Sequence, residues 1–245
     1  MKPFCPGFPR AAAWLPAAVL AVVFPLMVRP ALANPAVCIL ASAGEAMQPI
    51  VVGKQASQRT RDAAQMLAEH LQRISQAPFK VQVGDGRSGL AVGTVHDFPG
   101  LAAPALTPSE RPERREDYLL RSHANGAYLI GQTELAVEHA VWDTLYRLGY
   151  RQFFPGKHWE VVPSQRELKL AVDDLEQPDY YARRIWYGYG PWDYASEPYR
   201  EWCAKNRAVS GVALNSGHAY DGIIARNKEL IAEHAGLLGL HASER

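Results

Sequence analysis

The fold is decided by residues 116–163, which read EDYLLRSHANGAYLIGQTELAVEHAVWDTLYRLGYRQFFPGKHWEVVP. Two short β-prone runs, 118–122 and 127–130, are rich in Tyr, Leu and Ile. Asn125-Gly126 between them supplies the positive φ angles that a tight hairpin needs. The sequence therefore predicts that the two runs pair as antiparallel strands.

A helix is predicted directly after this hairpin, over residues 134–148. Thr133 offers a hydroxyl as N-cap, and Gly149 can adopt the left-handed conformation that stops a helix. The apolar residues recur at three- and four-residue spacing on one face and are Val137, Val141, Leu145 and Leu148. Residues 150–154 then read as an aromatic strand that Pro155-Gly156 ends. The order in this unit is strand, strand, helix, strand.

The rest of residues 48–178 repeats this mixture of strand and helix. Ser57 can cap an amphipathic helix that runs to Pro78, and strands are predicted at 50–52, 79–83, 90–92 and 167–172. The total is about six strands and two long helices. These elements predict an α/β (α+β) domain: a two-layer sandwich of a mixed sheet with both long helices on one face.

The turn after the second helix reads LGYRQFFPG over residues 148–156, and its segment ends at Val161-Val162-Pro163. This combination resembles the N-terminal α/β domain of α-glucuronidases, of β-N-acetylhexosaminidases and of related carbohydrate-utilisation proteins of uncharacterised function. The resemblance covers residues 48–180. It implies a glycoside-hydrolase type of protein in which a (β/α)₈ barrel follows the domain. No residue of the turn itself does chemistry.

The first 33 residues have the character of an export signal. Lys2 and Arg10 precede or flank an apolar run at 11–28, no acidic residue is present, and Ala31-Leu32-Ala33 suits signal peptidase. The alternative is an uncleaved membrane anchor, which Pro16 and Pro25 disfavour. We expect cleavage before Asn34 and an exported protein, periplasmic or secreted, with no membrane attachment. Residues 34–47 are expected to form a linker or N-terminal extension.

Composition and charge place the remainder among ordinary globular proteins. The chain is 48% apolar and 21% charged, and after removal of the signal it carries 23 basic and 25 acidic residues. Without a basic excess it lacks the counterion release that dominates nucleic-acid binding, so no nucleic-acid partner is expected.

Two cysteines remain after residue 33, Cys38 and Cys203. They lie far apart in sequence and in different predicted domains. A disulfide between them is possible in an oxidising compartment, and two free thiols are the simpler interpretation.

Residues 84–89, GDGRSG, fit the G-x-G-x-x-G pattern of dinucleotide-binding loops. Such a loop needs a helix at its third glycine, whereas residues 90–93 read as a strand. We therefore expect a flexible hairpin loop and no nucleotide cofactor. The sequence also lacks a Gly-x-Ser-x-Gly elbow, an HExxH motif and paired CxxC motifs. His218 and Asp221 are too few to predict a metal site.

Two further segments are expected at the surface. Residues 101–115 contain three prolines and clustered charge, which predicts an exposed, mobile connection. Asp173, Asp174 and Glu176 form an acidic cluster that favours a solvated turn.

An aromatic stretch follows the domain at residues 179–199, DYYARRIWYGYGPWDYASEPY. Tyr and Trp rings stack on the apolar faces of sugars, and Arg, Asn and His bind hydroxyls and carboxylates. An aromatic domain interface is the equally favoured alternative. The barrel resemblance implies a first strand at 182–187, an upper loop at 188–197, a helix at 199–208 and a second strand at 209–214. The candidate substrate-binding residues are Arg184, Trp186, Tyr187, Trp192, Asn215 and His218.

Residues 179–245 number only 67, against roughly 250 for a typical barrel. The two carboxylates of a glycosidase therefore have no counterpart here, and no catalytic residue, cofactor or metal is assigned. The sequence predicts an exported carbohydrate-active protein, an accessory glycoside-hydrolase domain followed by an incomplete barrel start, cut short or a fragment. The alternative is a non-catalytic carbohydrate-binding or interaction module. Substrate and oligomeric state are left open.

Overall fold

A six-stranded mixed sheet with two long helices on one face forms the centre of the fold. The structure, a computed structural model, describes residues 34–183, 185, 193–209, 220–234 and 236. The strands in these ranges are β1 (Val37–Ser42), β2 (Glu45–Ala46), β3 (Ile50–Val52), β4 (Val81–Val83), β5 (Gly89–Thr94), β6 (Tyr118–His123), β7 (Gly126–Gly131), β8 (Arg151–Gln152), β9 (Glu160–Val161), β10 (Leu168–Ala171) and β11 (Asp173–Glu176). The α-helices are α1 (Gln58–Ser75), α2 (Glu134–Arg147), α3 (Asp193–Lys205), α4 (Tyr220–Arg226) and α5 (Lys228–Glu233).

The predicted hairpin is confirmed and lies inside the main sheet, whose strand order is β11-β6-β7-β5-β3-β4. β6 and β7 pair antiparallel, with His123 opposite Gly126 at the turn. β7, β5, β3 and β4 are parallel to one another. Gly126 has a φ of +155°, and a Cβ there would lie 2.0 Å from the Gly89 carbonyl oxygen. The hairpin turn therefore requires glycine both for its backbone angle and for the close approach of β5.

Both predicted helices are confirmed together with their caps. The Ser57 hydroxyl accepts from the Thr60 N–H at 3.2 Å at the start of α1, and the Thr133 hydroxyl accepts from the Ala136 N–H at 3.4 Å at the start of α2. α1 ends at Ser75, with Gln76 in the left-handed conformation, two residues before the predicted stop at Pro78. Gly149, with a φ of +97°, follows α2.

The main core lies between the sheet and the two helices. Leu67 and Leu71 of α1 and Val137 and Val141 of α2 are fully buried against Leu129 and its sheet neighbours. The predicted two-layer mixed α/β arrangement is therefore present. The opposite face of the sheet is covered by the connection after β5, where Phe98, Ala102 and Leu106 pack on Leu119 and Ile130.

This second cluster corrects the expectation of an exposed connection over 101–115. Ala102 and Leu106 are each only 2% exposed. Their burial covers apolar residues of β6 and β7 that would otherwise face water. The prediction of exposure holds for residues 107–113, which are mostly exposed.

Three strand expectations differ from the structure. Residues 150–154 form only the two-residue strand β8, which pairs with β9 in a separate ribbon and leaves Phe153 and Phe154 exposed. β10, predicted at 167–172, pairs with β1 in a three-stranded sheet. The expected linker at 34–47 is wrong, because β1 and β2 lie there and Cys38 and Leu40 are fully buried in the core.

The glycine hexapeptide joins β4 to β5 and is followed by a strand, as predicted. A hairpin is nevertheless wrong, because β3 lies between β4 and β5 and pairs parallel with both. The expected solvated turn at Asp173 is also wrong. Residues 173–176 are the edge strand β11, whose Asp173 accepts from Arg121 Nε at 2.6 Å.

The regular structure that the described chain forms after residue 178 is helical, whereas the described residues 179–183, 185 and 206–209 are neither helix nor strand. α3 begins at Asp193, six residues before the helix start that the barrel resemblance implies, and ends at Lys205. The second implied strand, 209–214, lies outside the described residues except for Val209, so the barrel start stays a prediction. None of the helices in the described ranges is both long and apolar enough to span a membrane.

Candidate functional site

The candidate binding residues of the aromatic stretch lie outside the part of the chain that the structure describes. They are Arg184, Trp186, Tyr187, Trp192, Asn215 and His218. The predicted signal at 1–33 lies outside it as well. The structure does describe the residues where the chain enters and leaves these segments: Arg183, Ile185, Asp193 and Val209. The candidate site is therefore built from the surroundings of those residues.

A cleft of about 390 Å³ lies between α2 and α3 beside Arg183 and Ile185. Apolar side chains form much of its wall, among them Leu135, Ile185, Tyr199 and Val209. Its volume is at the lower end of the range for small-molecule sites, which are predominantly apolar with a few polar groups. The cleft therefore has the size of a site for a single small ring or a short ligand.

The charged groups around this cleft are paired with each other. Arg59 Nε and Nη2 donate to the two carboxylate oxygens of Glu138 at 2.6 and 2.8 Å. Arg183 Nη2 donates to Glu116, and Arg200 donates to Glu197. A two-point guanidinium–carboxylate pair fixes both partners in direction as well as in charge. The cleft therefore presents little uncompensated charge to a ligand.

His139 separates the cleft from the buried acid Glu116. Its ring is 2% exposed, and burial, together with the nearby Arg183 and Arg207, lowers its pKa to about 3. The imidazole is therefore neutral at neutral pH, so its 3.6 Å approach of Nδ1 to Glu116 Oε2 is not an ion pair. The charge of Glu116 is balanced by Arg183 and, at 3.5 Å, by Arg115.

A second buried acid, Asp143 on α2, binds two arginines. Arg147 Nε donates to it at 3.2 Å, and Arg207 Nη1 lies 3.4 Å from its other oxygen. The same Arg207 atom donates to the Tyr118 hydroxyl at 2.6 Å. Burial, followed by the nearby Asp143 charge, raises the pKa of Tyr118, so the phenol stays protonated. Sequence reasoning selected none of these ionisable groups.

The turn at 148–156 also holds α3. Asn206 Nδ2 donates to the Gln152 carbonyl oxygen at 3.1 Å, and the Tyr146 hydroxyl donates to Asn206 Oδ1 at 2.9 Å. The Phe154 and Trp202 rings lie 6.5 Å apart between centroids. The motif that carries the family resemblance therefore acts as a platform on which the end of α3 packs.

Glu160, on the turn beside α3, does not have the character of a glycosidase general acid. A general acid needs a pKa that is raised toward neutrality. The pKa of Glu160 is instead lowered to about 2, chiefly by its hydrogen bonds from Arg73 and further by the Tyr150 hydroxyl. Groups of three or more potential metal ligands do not occur among the described residues.

Both cysteines of the described chain are free thiols. Burial raises the pKa of Cys38 to about 11, so its thiol is neutral and unreactive. Cys203 is partly exposed on α3 and lines the cleft.

Comparisons with known proteins found similarity to solved structures alone. No protein-family profile matches the sequence, and no curated protein is significantly similar to it. Among solved structures it is similar to the GH20 β-N-acetylhexosaminidase of Streptomyces coelicolor, at 20% identity and a TM-score of 0.40 over 61% of this chain and 25% of that enzyme. The N-acetyl-β-hexosaminidase of Streptomyces plicatus gives 17% identity and a TM-score of 0.39 over 62% of this chain and 28% of that enzyme.

A GH115 4-O-methyl-α-glucuronidase with specificity for decorated arabinogalactans gives 13% identity and a TM-score of 0.40, over 69% of this chain and 25% of that enzyme. These neighbours belong to the two kinds of glycoside hydrolase that the LGYRQFFPG turn resembles. The matched part spans only about a quarter of each enzyme. At such identities and TM-scores, the similarity says nothing about what this chain binds or does.

Proposed function

We propose that this chain is an exported carbohydrate-active protein whose α/β domain is an accessory domain of the glycoside-hydrolase type. In this proposal the domain holds a carbohydrate-binding segment that begins at Arg183. Cleavage of a glycosidic bond by the chain alone forms no part of the proposal.

The observation that carries the proposal is the position of the cleft. It lies where Ile185 adjoins the Trp- and Tyr-rich residues 186–192, and its walls are mostly apolar. A sugar ring has one apolar face and a rim of hydroxyls, so it is held by an aromatic or aliphatic surface next to polar groups. Tyr199 on the cleft wall, stacked on Trp202 at 6.0 Å, adds an aromatic surface to that setting.

The paired charges favour a neutral sugar over an acidic one. Arg59 and Arg183 both lie at the cleft with a carboxylate partner already bound. A uronic carboxylate would compete with Glu116 for Arg183, and separating that pair is costly because it leaves the Glu116 carboxylate, whose side chain is 3% exposed, buried without its partner. The Arg59–Glu138 pair is more exposed and contributes less to this preference. We therefore expect hexose or N-acetylhexosamine units to bind more tightly than uronic acids.

The accessory role is supported by how the buried acids are used. Glu116, Asp117 and Asp143 are all less than 10% exposed, and each has an arginine partner. A glycosidase needs two carboxyl groups that face the scissile bond across a gap of about 5–10 Å. Acids that are buried and bound to arginines hold structure together and cannot reach a substrate.

A glycan array tests the binding part of the proposal. The purified protein should bind one or more neutral oligosaccharides, and Trp186→Ala or Trp192→Ala should weaken binding at least tenfold. Trp159→Ala is the matched control, because this exposed tryptophan does not line the cleft. Absence of binding to every glycan at millimolar concentration would refute the proposal.

A second candidate function is docking of a protein partner on the turn. Phe153, Phe154 and Trp159 are 63%, 47% and 54% exposed and form one aromatic surface. Exposed aromatic patches of this kind mark interaction sites. If Trp159→Ala, and not Trp192→Ala, abolishes an interaction of the protein, this second function is favoured.

Export is proposed on the composition of residues 1–33. Expression of the full chain in a bacterium, followed by fractionation and N-terminal sequencing, should find a periplasmic or secreted protein that begins at Asn34. A protein that stays in the membrane fraction with its N-terminus intact would support the uncleaved anchor instead.

A further inference from the structure

Four consecutive side chains at the start of the β6 segment each contact a residue at or beyond the end of the α/β domain: Gln177 lies at that end, and Tyr181, Arg183 and Arg207 follow it. We name Arg115, Glu116, Asp117 and Tyr118 the exit clamp. The Arg115 guanidinium lies 4.3 Å from the centroid of the Tyr181 ring. Glu116 accepts a hydrogen bond from Arg183, and Asp117 accepts one from Gln177 Nε2 at 3.0 Å. The Tyr118 hydroxyl accepts one from Arg207 Nη1 at 2.6 Å.

The base of the exit clamp is fixed to the α/β domain. The Thr133 hydroxyl, which caps α2, donates to the Arg115 carbonyl oxygen at 2.6 Å. The Gln132 N–H donates to the Asp117 carbonyl oxygen at 2.8 Å. Glu116, Asp117 and Tyr118 are at most 2% exposed. These side chains therefore have fixed positions in the core, and they fix the positions of the residues that they bind.

Arg183 is the residue that the exit clamp holds most completely. Besides Glu116, its side chain donates to the carbonyl oxygens of Tyr180 at 2.7 Å and Arg207 at 3.0 Å. Its backbone N–H donates to the Val209 carbonyl oxygen at 2.7 Å. The planar guanidinium has fixed donor directions, so three acceptors define its orientation.

The returning chain is held at the same place. Arg207 has a φ of +55° in the turn that ends α3, where the Ala208 N–H donates to the Cys203 carbonyl oxygen at 2.8 Å. This left-handed residue is part of the helix C-cap, as Gln76 is at the end of α1. The side chain of Arg207 then contacts Tyr118 and Asp143, which holds the returning chain against the domain.

We propose that the exit clamp is a positioning device, in which Glu116, through Arg183, fixes the chain at residues 179–183 and so tunes the carbohydrate affinity of the cleft that Arg183 and Ile185 line. The chain leaves the domain at Arg183 and returns to it at Arg207, and both arginines bind side chains of the exit clamp. The affinity part rests on the proposed function, whereas the positioning part does not.

Hydrogen–deuterium exchange on the full-length protein tests the positioning part. Glu116→Gln keeps the size of the side chain and removes the charge that orients Arg183. Exchange of the peptide spanning residues 179–185 should become at least tenfold faster, whereas a peptide from β7 should change less than twofold. Glu113→Gln, an exposed acid three residues earlier, is the matched control and should change neither peptide.

Arg183→Lys is the second variant, because it leaves every residue of the α/β domain unchanged. Lysine keeps the positive charge but lacks the planar guanidinium group with its several donors. Exchange at 179–185 should therefore become at least threefold faster, but remain slower than in Glu116→Gln. If Glu116→Gln does not fold, the exchange rates of Arg183→Lys alone test the positioning part of the proposal. Unchanged exchange at 179–185 would overturn the proposal, because Glu116 would then have no effect on this segment. Equal acceleration at 179–185 and in β7 would also overturn it, because Glu116 would then contribute only to the global stability of the protein.

Titration with the neutral oligosaccharide that gives the strongest array signal tests the affinity part. Both variants should bind it at least fivefold more weakly than the parent protein, with Glu113→Gln unchanged. Faster exchange at 179–185 with unchanged affinity would refute the affinity part and leave the positioning part intact. If the parent protein binds no glycan, the proposed function fails, and the exchange result still decides whether the exit clamp positions the chain.

Discussion

Replacing Glu160 by glutamine should reduce stability at neutral pH and have a smaller effect in acid. Glu160 accepts from Arg73 Nη1 and Nη2 at 3.0 and 2.6 Å and from the Tyr150 hydroxyl at 2.8 Å. It joins the β8–β9 ribbon to α1, and Lys205 of α3 lies 3.9 Å away. These contacts lower its pKa from an ordinary 4.5 to about 2.

The shift sets the magnitude of the effect. Each pKa unit corresponds to about 1.4 kcal/mol, so the full shift gives an upper bound of about 3 kcal/mol. The Arg73 side chain is 43% exposed and the Glu160 side chain 16%, and solvent screening reduces such pairs. We therefore expect about 1–2 kcal/mol. Because the pKa is lower in the folded state, this stabilisation is complete above pH 4.5 and disappears as the pH falls through 2.

Urea unfolding of the parent protein and of Glu160→Gln at pH 7 and pH 3 measures this effect. The variant should be less stable by about 1–2 kcal/mol at pH 7, and by linkage the gap should shrink to about half at pH 3. Glu110→Gln, an exposed acid, is the control and should track the parent protein at both pH values. An equal gap at pH 7 and pH 3 would refute the assigned ion pair.

Three further predictions concern the core, the hairpin and the thiols. Leu129→Ala, at a fully buried position of β7, should lower the unfolding free energy by about 2–5 kcal/mol in urea, and a loss below about 1 kcal/mol would contradict the central place of β7. Gly126→Ala should abolish the cooperative thermal transition, because its Cβ would overlap the Gly89 carbonyl; an unchanged melting temperature would contradict the close packing of β5 and β7. In protein that begins at Asn34, Ellman's reagent at pH 8 should modify Cys203 rapidly and Cys38 only after unfolding, and equal rates would contradict the buried position of Cys38.

The elements that the sequence predicted well are those specified by neighbouring residues. Thr133 and Ser57 cap the two helices because a hydroxyl three residues before a free N–H satisfies it locally. Gly126 marks the hairpin, because glycine is needed at its φ of +155°. The strands are joined by Ala124 and Asn125, one residue earlier than predicted, and Asn125 does not have the positive φ that was predicted for it. Such signals need no knowledge of the rest of the fold.

Elements that depend on distant partners were missed. β1 is recognisable only with β10, which lies about 130 residues later and pairs with it across the three-stranded sheet. The connection at 101–115 carries enough charge to suggest exposure, yet Ala102 and Leu106 are drawn onto the free face of the sheet. Composition describes a segment, whereas burial depends on the apolar surface that other segments leave uncovered.

The candidate site was hidden for the same reason. Residues 110–117, ERPERRED, look solvated because seven of the eight are charged, and nothing local shows that Glu116 and Asp117 are buried. One signal was available: His139 and Asp143 are one helical turn apart on α2, among residues that are otherwise apolar and buried. Ionisable residues within an apolar helix face indicate a partner that approaches from outside the domain.

The arginine partners of Glu116 and Asp143 give the buried charge of this domain a structural role. An arginine that pairs with a buried carboxylate contributes little net stability, because the cost of removing both charges from water offsets much of their attraction. Its main consequence is that a single geometry is accepted. Glu116 binds Arg183 within the aromatic stretch and Asp143 contacts Arg207 after it, so the domain fixes the chain at both of these points. Acids that are buried and bound to arginines in this way orient the chain that follows the domain, because only one placement of each guanidinium satisfies its carboxylate.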